Sequence, residues 1–202
     1  MSLDDQARWD RQHAETHGVE PPSAFLRQIL EADSWQFPPG RALDIGAGKG
    51  RNAVYLAERG FKVVAVDISK VALDVARLHA QRKHLEIDFQ QLDLEQSAFP
   101  EGQYDLILNI NYLQRSLIPK IKIALKLGGH VIFETYLIDQ QVFGHPNNPN
   151  YLLAHNELLD HFRDFRVLYY REGQFSDGAE PSFRAGIFAT KIEQKATGRS
   201  PL

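Results

Sequence analysis

Four polar residues stand where strand-like apolar runs come to an end: Asp44 in "RALDIG", Asp67 after "KVVAV", Asp93 after "LEIDFQQL" and Asn109 in "YDLILNI". One such residue is ordinarily a helix cap or a turn former. Four in register, at the carboxyl ends of successive strands, describe an edge that meets a ligand. Between the first two, Gly46, Gly48 and Gly50 alternate with Ala47 and Lys49. Glycine there lets the backbone approach a ligand without a Cβ in the way and permits positive φ in a tight turn. The chemistry on offer is recognition of a polar ligand by backbone and carboxylates.

The residue types narrow the ligand. A dinucleotide fingerprint needs a glycine three positions after Gly48, and the chain has Arg51 there. A phosphate-cradling loop needs Gly-Lys followed by Ser or Thr, and Gly48-Lys49 runs into Gly50 instead. Asp44 repels phosphate but suits an ammonium or a sulfonium. Asp67 lies about 20 residues past the first glycines, the spacing of a carboxylate that holds a ribose diol. A phosphate-free nucleoside with a positively charged end fits this pattern, and S-adenosylmethionine is such a molecule.

These residues need a scaffold of alternating strands and helices. After the glycines, "NAVYLAERG" sets Ala53, Leu56 and Ala57 on one helical face and offers Gly60 as a terminator. "KVVAV" is a β-branched run suited to a buried parallel strand. Ser69 is an N-cap for the amphipathic "KVALDVARLHAQRK", and "LEIDFQQL" alternates with Leu85, Ile87 and Phe89 on one side. A turn around Pro100 and Gly102 leads to "YDLILNI". "SLIPKIKIALK" reads as a helix with Pro119 in its first turn, and "GGHVIFETY" as a strand entered through Gly128 and Gly129. "DFRVLYYREG" and "SFRAGIFATKIE" then form an antiparallel pair at one edge. The expected fold is α/β, a doubly wound, mostly parallel sheet. It makes one domain over 1–192, with 1–35 as a helical cap over the ligand site and 193–202 as a disordered tail.

Composition bounds the partners. The chain has 202 residues, no cysteine and a net charge of −3. Without thiols there is no disulfide, no cysteine-ligated metal and no thiol catalysis. The basic stretch "KIKIALK" has apolar residues between its lysines and reads as the solvated face of a helix, so no nucleic-acid stripe stands out. No apolar run is long enough to span a bilayer, which needs about 20 residues. The expected partner is a small molecule, with no nucleic acid, membrane or metal. The protein is expected in the cytoplasm, as a monomer or weak homodimer.

With these motifs in order, the sequence resembles the class I S-adenosylmethionine-dependent methyltransferases. "LDIGAGKG" is similar to that family's D-x-G-x-G-x-G motif, "VVAVD" to its second-strand motif and "LDL" at 92–94 to its adenine-contacting segment. The resemblance implies a Rossmann-like seven-stranded sheet with an antiparallel last strand and helices on both faces. "GKGRNAVYLAERG" and "RWDRQHAE" further resemble the tellurite-resistance-type small-molecule branch. Carried over, it assigns Asp44 and the turn of Gly46, Ala47, Gly48 and Gly50 to the methionine end of the cofactor. Asp67 would hold the ribose, Ile68 would pack on the adenine, and Asp93 and Leu94 would meet its amino group. Asn109 would face the methyl, and Trp9 would belong to the covering helix. Asn52 is placed with the cofactor too, although capping the helix start is an equal reading. His13 stands where many of that branch have an aromatic ring.

The acceptor side is open. Tyr112, Arg115, Glu134, Tyr136 and His145 are the candidates near the fourth and fifth strand ends and in the 138–155 loop, a candidate lid. Each has an ordinary reading as well: core aromatic, helix cap or solvated turn. The sequence therefore implies methyl transfer from S-adenosylmethionine, with S-adenosylhomocysteine as product, to an unidentified small molecule. A cofactor-binding sensor without turnover is the alternative.

Overall fold

The apolar runs become the strands of a single sheet. The computed structural model describes residues 3–15, 18–177 and 180–193, so the expected tail at 193–202 lies almost wholly outside the described residues. The strands are β1 (Arg41–Ile45), β2 (Lys62–Asp67), β3 (Ile87–Gln91), β4 (Tyr104–Ile110), β5 (Leu125–Tyr136), β6 (Arg166–Phe175) and β7 (Ser182–Thr190). The helices are α1 (Leu3–Glu15), α2 (Ala24–Leu30), α3 (Arg51–Ala57), α4 (Lys70–Arg82), α5 (Ile118–Ala124) and α6 (Glu157–His161). The sheet order is β3-β2-β1-β4-β5-β7-β6, and only the pairings of β7 are antiparallel. This is the expected Rossmann-like architecture. Strand order reverses between β1 and β4, so the crevice for a ligand opens at their carboxyl ends.

The two sheet faces bury separate cores. On one, Ala42, Val63, Ala65, Leu106, Leu108 and Ile132 pack under α2 and α3 through Phe25, Leu26, Ile29 and Leu56. On the other, Leu43, Ile45, Val64, Ile107 and Phe133 pack under α5 and α6 through Ile118, Ile121 and Leu158. α2 is thus part of the core rather than of a cap. Among the described residues no helix joins β3 to β4, so β3 carries polar residues on one side, as its alternating sequence requires.

Local signals set the boundaries. Ser69 caps α4 by accepting from the Ala72 N–H at 3.1 Å, and Pro119 sits in the first turn of α5. β5 begins at Leu125, earlier than the expected entry at Gly128. Leu125 pairs with Tyr104, and the ladder shifts register before resuming at Leu106 and His130. Gly186 lies between Glu134 and Arg171 in the sheet, and the Phe25 ring occupies the space of its missing side chain. A Cβ there would stand 2.8 Å from Phe25 Cζ.

Candidate cofactor and acceptor site

The glycine turn is fixed by backbone before any side chain acts. The Ala47 N–H donates to the Val66 carbonyl at 3.0 Å, and the Gly50 N–H to the Ala47 carbonyl at 2.9 Å. Gly46 and Gly48 have φ of +66° and +53°, the left-handed region that only glycine enters readily. Gly50 is glycine for a second reason as well, since a Cβ there would meet the Ala76 Cβ at 2.8 Å and push α4 off α3. The turn leaves a floor of bare backbone beside two carboxylates.

Asp44 is the stranger of the two. Its side chain is 1% exposed, and Oδ2 has no hydrogen-bond partner. Burial pushes its pKa up to about 7; nearby Asp67 adds to the rise, while Arg51 and the Ala53 N–H oppose it. A buried carboxylate left unpaired is costly, and a cation docked on Oδ2 would repay the cost. Asp67 is half-buried and accepts from the Gly48 N–H at 2.7 Å and the Ser69 N–H at 2.8 Å. Burial raises its pKa too, against those two donors.

Helix α1 lies over this edge. Asp10 Oδ1 accepts from the Ser69 hydroxyl at 2.6 Å and from the Val71 N–H at 3.3 Å, clamping α1 to the start of α4. Trp9 and His13 of α1 stack with ring centroids 6.0 Å apart, and His13 faces Gly48. Sequence reasoning missed Asp10, because its partners lie about 60 positions away and no local pattern announces them.

On the far side of the crevice, Asn109 is buried and its amide donates to the Tyr112 carbonyl at 2.5 Å. That bond closes a turn through Asn111, whose φ is +59°, and sets the Tyr112 side chain against Gly46. Ile68 and Leu94 are buried, and Asp93 Oδ1 accepts from the Glu95 N–H at 2.9 Å.

The acceptor candidates are heavily paired. Glu134 is 2% exposed and accepts from Arg171 at 2.5 and 3.1 Å. Arg171 also donates to Asp177 at 2.5 Å, and Arg184 stands 3.6 Å from the second Glu134 oxygen. Burial pushes the Glu134 carboxyl up while the two arginines pull it back. Arg184 donates to Tyr136 Oη at 2.9 Å and to Asn111. Arg115 binds Glu157 at 2.6 and 2.9 Å and the carbonyls of Asn150 and Leu152, so it acts as a clasp on the 138–155 segment. His145 is exposed on that segment.

Known proteins are similar to this chain in sequence and in fold. A methyltransferase-domain family model matches residues 42–129, the run from β1 through the start of β5. The fold is similar to that of TehB from Haemophilus influenzae, with a TM-score of 0.68 and 21% identity over 92% of this chain and 66% of that one. The matched run is similar to a methyltransferase domain, and the whole chain shares that protein's fold. The magnesium protoporphyrin IX methyltransferase of Synechocystis PCC 6803, solved with bound S-adenosylhomocysteine, superposes with a TM-score of 0.65 at 16% identity over 94% of this chain and 99% of that one. In sequence, the domain is 29% identical over 136 residues to the ubiquinone biosynthesis O-methyltransferase of Acinetobacter baylyi, covering 64% of this chain and 57% of that protein. The chain thus spans a little over half the length of that relative.

The fold brings Asp44, Gly46, Ala47, Gly48, Asp67, Ile68 and Asn109 to one edge. Asn52 departs from its expected place: it is buried, and its carbonyl oxygen accepts from the Ser23 N–H at 2.9 Å, holding the start of α2. It does not cap its own helix either, since the start of α3 has no side-chain cap bond. Leu94 packs its side chain into the core under β4, which leaves only its backbone to face a ligand. A surface groove lined by Lys62, Val64, Arg77 and Asp88 lies at the amino ends of the strands, away from all of this.

Proposed function

We propose that this chain transfers the methyl group of S-adenosylmethionine to a small-molecule acceptor. The observation that carries the reading is the buried, unpartnered Asp44 oxygen beneath a phosphate-incompatible glycine turn, with Asp67 one strand away. Asp44 would take the cofactor's ammonium, and Asp67 its ribose hydroxyls. Ile68 would pack on the adenine, with Asp93 and the Leu94 backbone at its amino group. Trp9 would cover the site, and Asn109 and Tyr112 would border the methyl.

The cofactor supplies a sulfonium carbon open to in-line displacement. The chain's own task is then to align the acceptor and exclude water. Glu134 and Arg115 are spent on internal pairs, which argues against either as a proton carrier. Tyr112 donates to Gln114 at 2.6 Å and Tyr136 accepts from Arg184 at 2.9 Å, so either hydroxyl would meet an acceptor as part of a pair, and His145 is exposed. A cytosolic setting suits a chain without cysteine, and a net charge of −3 favours a small molecule over nucleic acid.

The test is incubation with methyl-labelled S-adenosylmethionine and a panel of small thiols, amines, carboxylates and phenols, beside calorimetry with S-adenosylhomocysteine. Label transfer to one class is expected. Binding without transfer to any would favour a sensor, and no binding at millimolar concentration would overturn the reading.

A further inference from the structure

His13 is the side chain at the glycine turn that neither the strand motifs nor the fold explains. It projects from α1 so that its Cε1 and Nε2 lie 3.6 and 4.0 Å from where a Gly48 Cβ would stand. Asp67, which receives the Gly48 N–H, is its strongest electrostatic neighbour. α1 is no loose flap here, because Asp10, one helical turn before His13, is bonded to Ser69 and Val71 at the start of α4. Trp9 stacks with the imidazole. A ring meant only as a cover would gain nothing from two nitrogens in such a place.

We propose that the His13 imidazole, held over Gly48 and facing Asp67, is a polar contact for the ribose hydroxyls of the cofactor. The proposal rests on the cofactor reading above and adds a residue to it. Asp67 already accepts two backbone N–H groups, so a ribose diol gains from a second polar partner on the opposite side. The neutral ring can accept a hydroxyl proton through one nitrogen and donate through the other.

The charge environment gives the contact a direction in pH. Asp67 on β2, Lys49 in the turn, Asp10 on α1 and Glu20 beyond it are the charges that act on the ring. Burial holds the imidazole below its usual value, with Lys49 adding to that effect and the three carboxylates opposing it. The ring is therefore neutral at pH 7. Once protonated it would be drawn to the Asp67 carboxylate and compete with the ribose for it, so cofactor affinity should fall in acid.

The experiment is titration calorimetry with S-adenosylhomocysteine at pH 7.5 and pH 5.5, on wild type, His13→Phe and His13→Gln, each checked for folding by thermal melting. His13→Phe keeps a ring over the turn and should lose about tenfold in affinity at the higher pH. His13→Gln keeps the polar contact and should stay within about threefold of wild type. The wild-type affinity should drop further between the two pH values than that of His13→Phe. A His13→Phe variant that matches wild type in both affinity and pH profile would overturn the proposal. Failure of all three proteins to bind would instead overturn the cofactor reading beneath it.

Discussion

The two sides of the crevice are built on opposite plans. The β1–β2 side keeps its groups free: bare glycine backbone, an Asp44 oxygen with no partner, and Asp67 bonded only to N–H groups. The β5–β7 side spends its groups on one another, with Glu134 and Asp177 shared by Arg171, and Arg184 laid between Tyr136 and Asn111. An unpaired buried carboxylate raises the free energy of the empty protein, so its retention points to a ligand. A closed set of ion pairs lowers the cost of burial and points to shape. On the proposed function the first side is the binding surface, and the second is a wall of groups paired with one another.

Breaking the wall should have the largest effect. Glu134→Ala strands Arg171 beside Asp177 in a nearly buried place, with an expected loss of about 3–5 kcal/mol in unfolding free energy. Chemical denaturation checks it; a change under about 1 kcal/mol would mean the network is not structural. Asp44→Asn should act the other way. Removing the buried charge should leave the empty protein equal or more stable at neutral pH, while cofactor binding weakens by about 2–4 kcal/mol.

The sign of the Asp44 effect follows from its raised pKa. The folded chain favours the uncharged carboxyl, so its contribution to stability is full below the usual carboxylate range and lost as pH rises through about 7. The thermal shift given by S-adenosylhomocysteine should therefore be larger at pH 8 than at pH 6 in wild type, and the difference should shrink in Asp44→Asn to what His13 alone contributes. Asp67→Ala removes the ribose acceptor but leaves the turn's backbone, and should cost about 1–3 kcal/mol of cofactor affinity by calorimetry. The smallest change is expected at Arg115. Its pair with Glu157 is part-exposed, so Arg115→Ala should cost about 1 kcal/mol or less in stability. It should speed proteolysis within 138–155 more than elsewhere, and equal cleavage throughout would remove its role as a clasp.

The contrast also explains what could be read in the sequence. The β1–β2 side is written locally: strand runs ending in acids, glycines at alternate positions, and Ser69 one step before a helix. The family match over 42–129 falls on that same run. The wall is written in pairs that no window contains. Glu134 meets Arg171 across 37 positions, and Arg184 meets Asn111 across 73. Those partners cannot be matched without the sheet order that inserts β7 between β5 and β6. Asn52 shows the same limit on a smaller scale: its place beside the glycines suggested the cofactor, but a backbone N–H 29 positions earlier claims it. His13 was visible as a departure from an aromatic ring, and only the geometry over Gly48 gives that departure a meaning.

The central claim is that Asp44 waits for an ammonium. Calorimetry at pH 7 in buffers of different ionisation heat would count the protons released when S-adenosylhomocysteine binds, against 5′-methylthioadenosine, which lacks the amino-acid tail. With Asp44 near its midpoint at about 7, the account predicts release of about half a proton with the first ligand and almost none with the second. Equal proton counts for the two ligands would contradict it.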